Sequence, residues 1–292
     1  MSFPGHPKAV LDRNGAQVAG TEWYQPDHPA DTPPDVQLDT TVPHIARIYD
    51  YWLGGKDNFE VDRAAGQRAM DANPSLYQGV KGNRAFLARA VRYLAGQGIR
   101  QFLDIGTGIP TANNTHEVAP SVAPQSRVVY VDNDPIVLAH ARALLTSTTA
   151  PTSYVDADAR DTGKILAAAA QTLDLSQPVG LMMIAVLHCI PDDSDPYGLV
   201  SELLAALPAG SYLTISHPAS DINTDVIPET LARLNAMMPD KLTFRSHPQV
   251  ERFFAGLDLV EPGVVRIPDW RPDSDLDRVN PAEVWGGVAR KP

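Results

Sequence analysis

The sequence predicts an α/β fold: a doubly wound, mostly parallel sheet with helices on both faces and a helical extension on its N-terminal side. Three observations lead there. First, strand-like runs at 101–105, 128–132, 153–156, 179–187 and 211–216 alternate with helical stretches at about 111–119, 135–145, 164–173, 197–207 and 227–238. Such alternation means right-handed βαβ units and a parallel sheet. Second, 180–187 is apolar throughout after its glycine, as a strand buried on both sides must be. Third, the first strand ends in an acid and a two-glycine turn, Asp104-Ile105-Gly106-Thr107-Gly108, that leads into a helix. Ligands of doubly wound sheets sit at such turns, outside the carboxyl ends of the strands.

Composition bounds the answer further. The chain has 292 residues, 43% hydrophobic and 20% charged, with a formal net charge of −11. That is enough apolar material for a sizeable core, and it excludes global disorder, a collagen-like chain and a coiled coil. The longest apolar run, 181–187, falls far short of the ~20 residues of a membrane helix. The opening residues lack a charged segment followed by an apolar one, so no secretory signal is expected. The single cysteine, Cys189, excludes an intramolecular disulfide and a cysteine zinc cluster and suits a reducing cytoplasm. The acidic balance argues against a grip on nucleic-acid phosphates, which needs a basic face.

Taken in order, residues 1–42 carry prolines at 4, 7, 26, 29, 33, 34 and, at the edge, 43, without a sustained apolar period; a Pro-rich arm is expected. Ile45, Ile48, Tyr49 and Trp52 mark one face of a short helix that Gly54-Gly55 stops. Helices at about 60–72 and 83–95 follow, so 43–99 reads as a helical cap or lid and 100–292 as the ligand-binding domain, with 43–292 one compact unit. After the fifth helix, 253–260 reads as a helix running into a strand. A proline-bearing loop then leads to a last strand at 283–289. Two strands with no helix between them suggest a closing antiparallel pair at one sheet edge.

The carboxylates after the strands narrow the ligand. A dinucleotide fingerprint, G-x-G-x-x-G, fails because its third glycine position is Thr111. A loop for S-adenosylmethionine (SAM) reads acid-x-G-x-G-x-G; Asp104, Gly106 and Gly108 match, and Pro110 breaks the last position. Asp104 favours SAM, since a carboxylate there repels pyrophosphate but suits an ammonium and a sulfonium. Asp132 ends the second strand, where it can accept both ribose hydroxyls. Asp134 before Pro135 reads as a helix N-cap. After the third strand, Asp158 can accept the adenine amino proton while the Ala159 amide donates to a ring nitrogen; Asp161 reads as a helix cap. The cofactor set is thus Asp104, Gly106, Thr107, Gly108, Asp132, Asn133, Asp158, Ala159 and Ala185. Two histidines follow strands at the same edge. His188 is either a general base or packs against adenine and backbone; His217 is either a second base or part of its loop. Cys189 reads as a small buried hydrophobe. No metal spacing is present.

With Tyr49–Phe59 (YDYWLGGKDNF), Asn83-Arg84-Ala85-Phe86-Leu87 and Phe102–Thr111 (FLDIGTGIPT) together, the chain resembles the bacterial family formerly called domain of unknown function 574, now S-adenosyl methyltransferase. The likeness runs from about Val42 to Lys291 through Asp156–Asp161, Val260–Gly263 and Gly286–Lys291. Pro110 belongs to this family's pattern, whereas Asn113-Asn114 departs from its glycine before an asparagine. The resemblance implies a class I methyltransferase (Rossmann-like) fold, with a seven-stranded sheet whose last pair is an antiparallel hairpin, and SAM as cofactor. It supplies neither acceptor nor base. The 49–59 segment is expected either to close over SAM, with Tyr49 or Asn58 at the methionine carboxylate or acceptor pocket, or to pack as a plain helix hairpin. The expected function is methyl transfer from SAM, leaving S-adenosylhomocysteine (SAH), to a small molecule, with no nucleic acid and no membrane partner, as a monomer or homodimer. The rivals are a silent SAM/SAH-binding regulator and an NAD-dependent oxidoreductase.

Overall fold

The alternating runs are realised as one sheet with strand order β3-β2-β1-β4-β5-β8-β6, and a short β7 pairs with β8 outside this path. A computed structural model of the chain describes residues 39–111, 113–145 and 151–292. The Pro-rich arm expected over 1–42 therefore lies, up to residue 38, outside the described residues.

Along the chain run α1 (Ile45–Trp52), α2 (Glu60–Ala72), α3 (Leu76–Gly96), β1 (Gln101–Ile105), α4 (Thr115–Val122), β2 (Arg127–Asp132), α5 (Pro135–Leu145), β3 (Thr152–Asp156) and α6 (Thr162–Ala169). Then come β4 (Gly180–Ile184), α7 (Pro196–Ala205), β5 (Tyr212–Pro218), α8 (Ile227–Asn235), α9 (His247–Glu251), β6 (Asp258–Leu259), β7 (Val265–Arg266), α10 (Asp275–Arg278) and β8 (Val284–Arg290). β1 to β5 are parallel; β8 runs antiparallel to β5 and to β6. The closing pair expected from the sequence is thus present, with β8 inserted between β5 and the edge. The connection between the last strands is not free of helix, because α10 and a 3-10 turn at Ile267–Asp269 occupy it.

Period-two alternation divides the core. Leu103, Ile105, Val129, Val131, Leu181 and Met183 face α6 and α7, meeting Ile165, Leu199 and Leu203. Their neighbours Phe102, Val128, Tyr130, Met182 and Ile184 face α3 and α4. Phe86 of α3 meets Trp270 edge-on with ring centroids 5.4 Å apart. A third apolar cluster joins Ile48 and Trp52 of α1, Ala65 and Ala69 of α2, Val80 of α3 and Leu234 of α8 with Met238 and Leu242. This cluster sets the N-terminal helices against the segment after β5.

Several element ends differ from expectation for local reasons. α3 begins at Leu76 rather than 83, through two glycines, because Gly82 lies where a Cβ would come 3.0 Å from Asn280. Close packing there overrides glycine's poor helix propensity. α4 begins at Thr115 rather than 111, because the Asn114 N–H donates to Glu117 Oε2 at 2.7 Å, a capping arrangement. β4 ends at Ile184, since Ala185 turns the chain with φ +51° and its N–H donates to Ser216 O. The expected strand residues up to 187 instead lead into a 3-10 turn at Leu187–Cys189.

Candidate functional site

The glycine turn is built by two residues with left-handed backbone. Gly106 has φ +73°, and a Cβ there would sit 2.3 Å from Val186 Cγ2; Gly108 has φ +66° and nothing within 4 Å. The first glycine therefore permits close passage of the β4 loop, and the second leaves its space open to a cavity. The turn is tied to β2: Gly106 N–H donates to Val131 O at 2.8 Å, and Gly108 N–H to Asp132 Oδ2 at 2.8 Å.

That cavity, of about 250 Å³, runs from the ends of β1 to β4 to the helices of the third apolar cluster. Asp104, Gly106, Thr107, Gly108, Asp132, Asn133, Asp158, Ala159, Ala185, Tyr49 and His188 all line it. The sheet topology explains this: parallel strands deliver their carboxyl ends to one edge, so residues far apart in sequence share a rim.

Two expected site residues do not line the cavity. His217 uses both ring nitrogens elsewhere: Nδ1 is 2.9 Å from the carbonyl of Pro218 and Nε2 is 2.8 Å from the Arg245 guanidinium. It is fully buried, and burial followed by the nearby His188 holds its pKa well below the ordinary value. A neutral imidazole with both nitrogens occupied is a structural link, not a base. Asn58 donates from Nδ2 to Asp50 Oδ2 at 2.7 Å and to Gly55 O at 3.1 Å, so it folds the loop after α1 instead of facing the cavity.

The carboxylates differ in setting. Asp104 accepts from Thr115 Oγ1 at 2.7 Å, and burial pushes its pKa up to about 6. Asp132 accepts from the N–H groups of Gly108 and Asp134, yet burial still raises its pKa. At both sites burial outweighs the nearby positive groups, Arg84 for Asp104 and His44 for Asp132. Asp158 is held below the ordinary range by Arg160, which grips both oxygens at 2.8 and 2.6 Å. Asp134 and Asp161 act as helix caps, accepting from Ile136 N and Lys164 N.

His188 is buried at the cavity wall; burial and Arg245 lower its pKa to about 4, so it is neutral near pH 7. Burial raises the Cys189 thiol to about 12, which removes it as a nucleophile. Tyr49 donates to Val80 O at 3.2 Å and accepts from Asn83 Nδ2 at 3.0 Å. Sequence reasoning missed Arg84, Arg245 and Glu283. Arg84 lines the cavity and donates to Asn113 O and Asn114 Oδ1 just beyond the glycine turn. Its place in the Asn83–Leu87 motif was the available signal; Arg245 and Glu283 carry none. Among the described residues, no cluster of His, Cys, Asp and Glu could hold a metal ion, and no helix is long and apolar enough to cross a membrane.

With this geometry established, comparison is decisive: the S-adenosyl methyltransferase family matches residues 31–292. The chain belongs to the S-adenosyl methyltransferase family. A protein of that family, formerly DUF574, from Streptomyces avermitilis is 46% identical, with a TM-score of 0.83 over 87% of this chain and 99% of its own. A candidate methyltransferase from Thermobifida fusca is 41% identical, with a TM-score of 0.82 over 89% of this chain and 99% of its own. No curated protein matches. The family's cofactor is SAM, and the residues present fit it: open space at Gly108 beside two buried carboxylates whose pKa values burial raises suits a ligand bearing an ammonium and a sulfonium.

Proposed function

We propose that the protein catalyses methyl transfer from SAM to a small-molecule acceptor. One observation carries this reading: the cavity that holds the glycine turn and its carboxylates continues into an apolar compartment lined by Trp52, Val80, Leu234, Met238 and Phe244. A silent cofactor-binding regulator needs no such second compartment. The acidic chain, at −11, disfavours nucleic acid as acceptor.

Bound SAM supplies an activated methyl group on sulfur, so the protein's task is mainly alignment. Among the lining residues, Asp104 would give the ligand's ammonium a counter-charge and Asp132 would accept from its ribose hydroxyls. The Ala159 amide would donate to the adenine ring, and Arg84 would pair with the methionine carboxylate. Asp158, already shared with Arg160, would accept the adenine amino group as a partner in that pair. Tyr49, pinned by Val80 and Asn83, borders both compartments. His188 is neutral and so adds no repulsion to a sulfonium; it can take a proton from the acceptor but holds it weakly.

Calorimetric titration with SAM, SAH and NAD in turn, repeated on Asp132→Ala, tests the reading. SAM and SAH are expected to bind and the substitution to abolish that binding. NAD binding without SAM or SAH binding would replace methyl transfer by nicotinamide redox chemistry.

A further inference from the structure

The two compartments of the cavity differ in chemistry. The apolar one contains a single buried carboxylate that the cofactor does not account for, Glu283, which is 8% exposed and lines the cavity where β8 begins beside the end of β5. Two segments converge on it. Asn73, after α2, donates to Oε2 at 3.2 Å, and Asn223, after β5, donates to Oε1 at 3.1 Å. The Ser75 hydroxyl lies 3.1 and 3.2 Å from the two oxygens, but its one proton also has the closer Asn73 Oδ1 at 2.5 Å. All these donors are neutral. Among the described residues Glu283 takes part in no ion pair.

A carboxylate withdrawn from water, with only neutral donors, lacks the counter-charge that makes burial favourable. It is held rather than avoided here: Asn73 and Ser75 from the loop after α2 and Asn223 from the segment after β5 fix its orientation. We infer that Glu283 holds a cationic amino group of the methyl acceptor, which is therefore an apolar or aromatic small molecule bearing an amine. An acceptor carrying its own carboxylate is repelled at this point, and a neutral alcohol leaves the charge uncompensated. The inference rests on the methyltransferase reading of the cavity.

Binding of 3-phenylpropylamine, its neutral counterpart 3-phenylpropanol and the acid 3-phenylpropanoate to the full chain saturated with SAH, followed by ligand-observed NMR, tests it. The amine is expected to bind at least about tenfold more tightly than the alcohol, with no binding of the acid. In Glu283→Gln the preference for the amine disappears while SAH affinity is unchanged. Equal binding of amine and alcohol by the wild-type chain, or no binding of the amine, overturns the inference without any variant, as does a preference that survives in Glu283→Gln. Failure of the wild-type chain to bind SAH at all would instead sink the methyltransferase reading.

Discussion

Gly106 and Gly108 share a left-handed backbone but not a surrounding. Alanine at 106 meets Val186 at 2.3 Å and must push the β4 loop away; alanine at 108 meets nothing. Gly106→Ala should lose about 3 kcal/mol of stability together with SAM binding, from backbone strain plus overpacking. Gly108→Ala should lose roughly 1 kcal/mol, from strain alone, and still lose SAM affinity because its methyl enters the cavity. Denaturant unfolding paired with calorimetry separates the two, and equal destabilisation would contradict the assignment. Asp104 sets stability against function. Its folded pKa of about 6 exceeds its ordinary 3.8, so the stability it confers is complete below pH about 4 and lost as pH rises through 6. Asp104→Asn should therefore stabilise the ligand-free protein above pH 6 by on the order of 1–3 kcal/mol, with no gain at pH 4, and weaken SAM binding. Unfolding midpoints that track the wild type at every pH would refute it.

The element that positions His188 is the turn after β4, and a single side chain fastens it. Arg245, fully buried, donates to Leu187 O and Ile190 O at 2.8 Å each, lies 2.8 Å from His217 Nε2 and pairs with Asp192. Asp192 is largely exposed, so that pair contributes little; the two carbonyls matter more, because without the guanidinium Leu187 O keeps only the Ile190 N–H at 3.2 Å. Arg245→Met keeps the apolar stem and should cost about 3 kcal/mol or more. A loss under about 1 kcal/mol in chemical denaturation would show that the turn stands without it. Regular elements themselves were readable where their causes are local. α2 spans Glu60–Ala72 as its sequence pattern indicates, since Asp62 Oδ2 accepts the Phe59 N–H and Asn73-Pro74 ends it. The front of α3 was not readable, because Gly82 there packs against Asn280, a contact across almost two hundred residues of sequence.

Across the whole molecule, burial concentrates negative charge in one cavity. Asp104 and Asp132 both have raised pKa values there, so a cationic ligand must displace protons from them as the medium becomes acidic. With Asp104 pushed up to about 6, SAM affinity should accordingly be flat above pH 7 and fall below about pH 6, by up to about tenfold per pH unit. Calorimetry from pH 5 to 8 checks this, and an affinity independent of pH would mean that neither carboxylate meets the ligand's charge. The cavity lies at one edge of the sheet because parallel strands bring their carboxyl ends there, with α1, α2 and α8 closing the far side.

By itself the sequence determined the alternation of strands and helices, the two-glycine turn and the acids after β1, β2 and β3. Each of these is written in residues a few positions apart, through periods of 2 and 3.6 and the backbone freedom of glycine. Tertiary structure alone decided that His188 faces the cavity while His217 is spent on Arg245, and that Glu283 lines that cavity too. Those outcomes depend on contacts between residues 28 positions apart for Arg245 and His217, and 210 apart for Asn73 and Glu283. No local pattern encodes such contacts; they exist only once the sheet has closed with β8 beside β5.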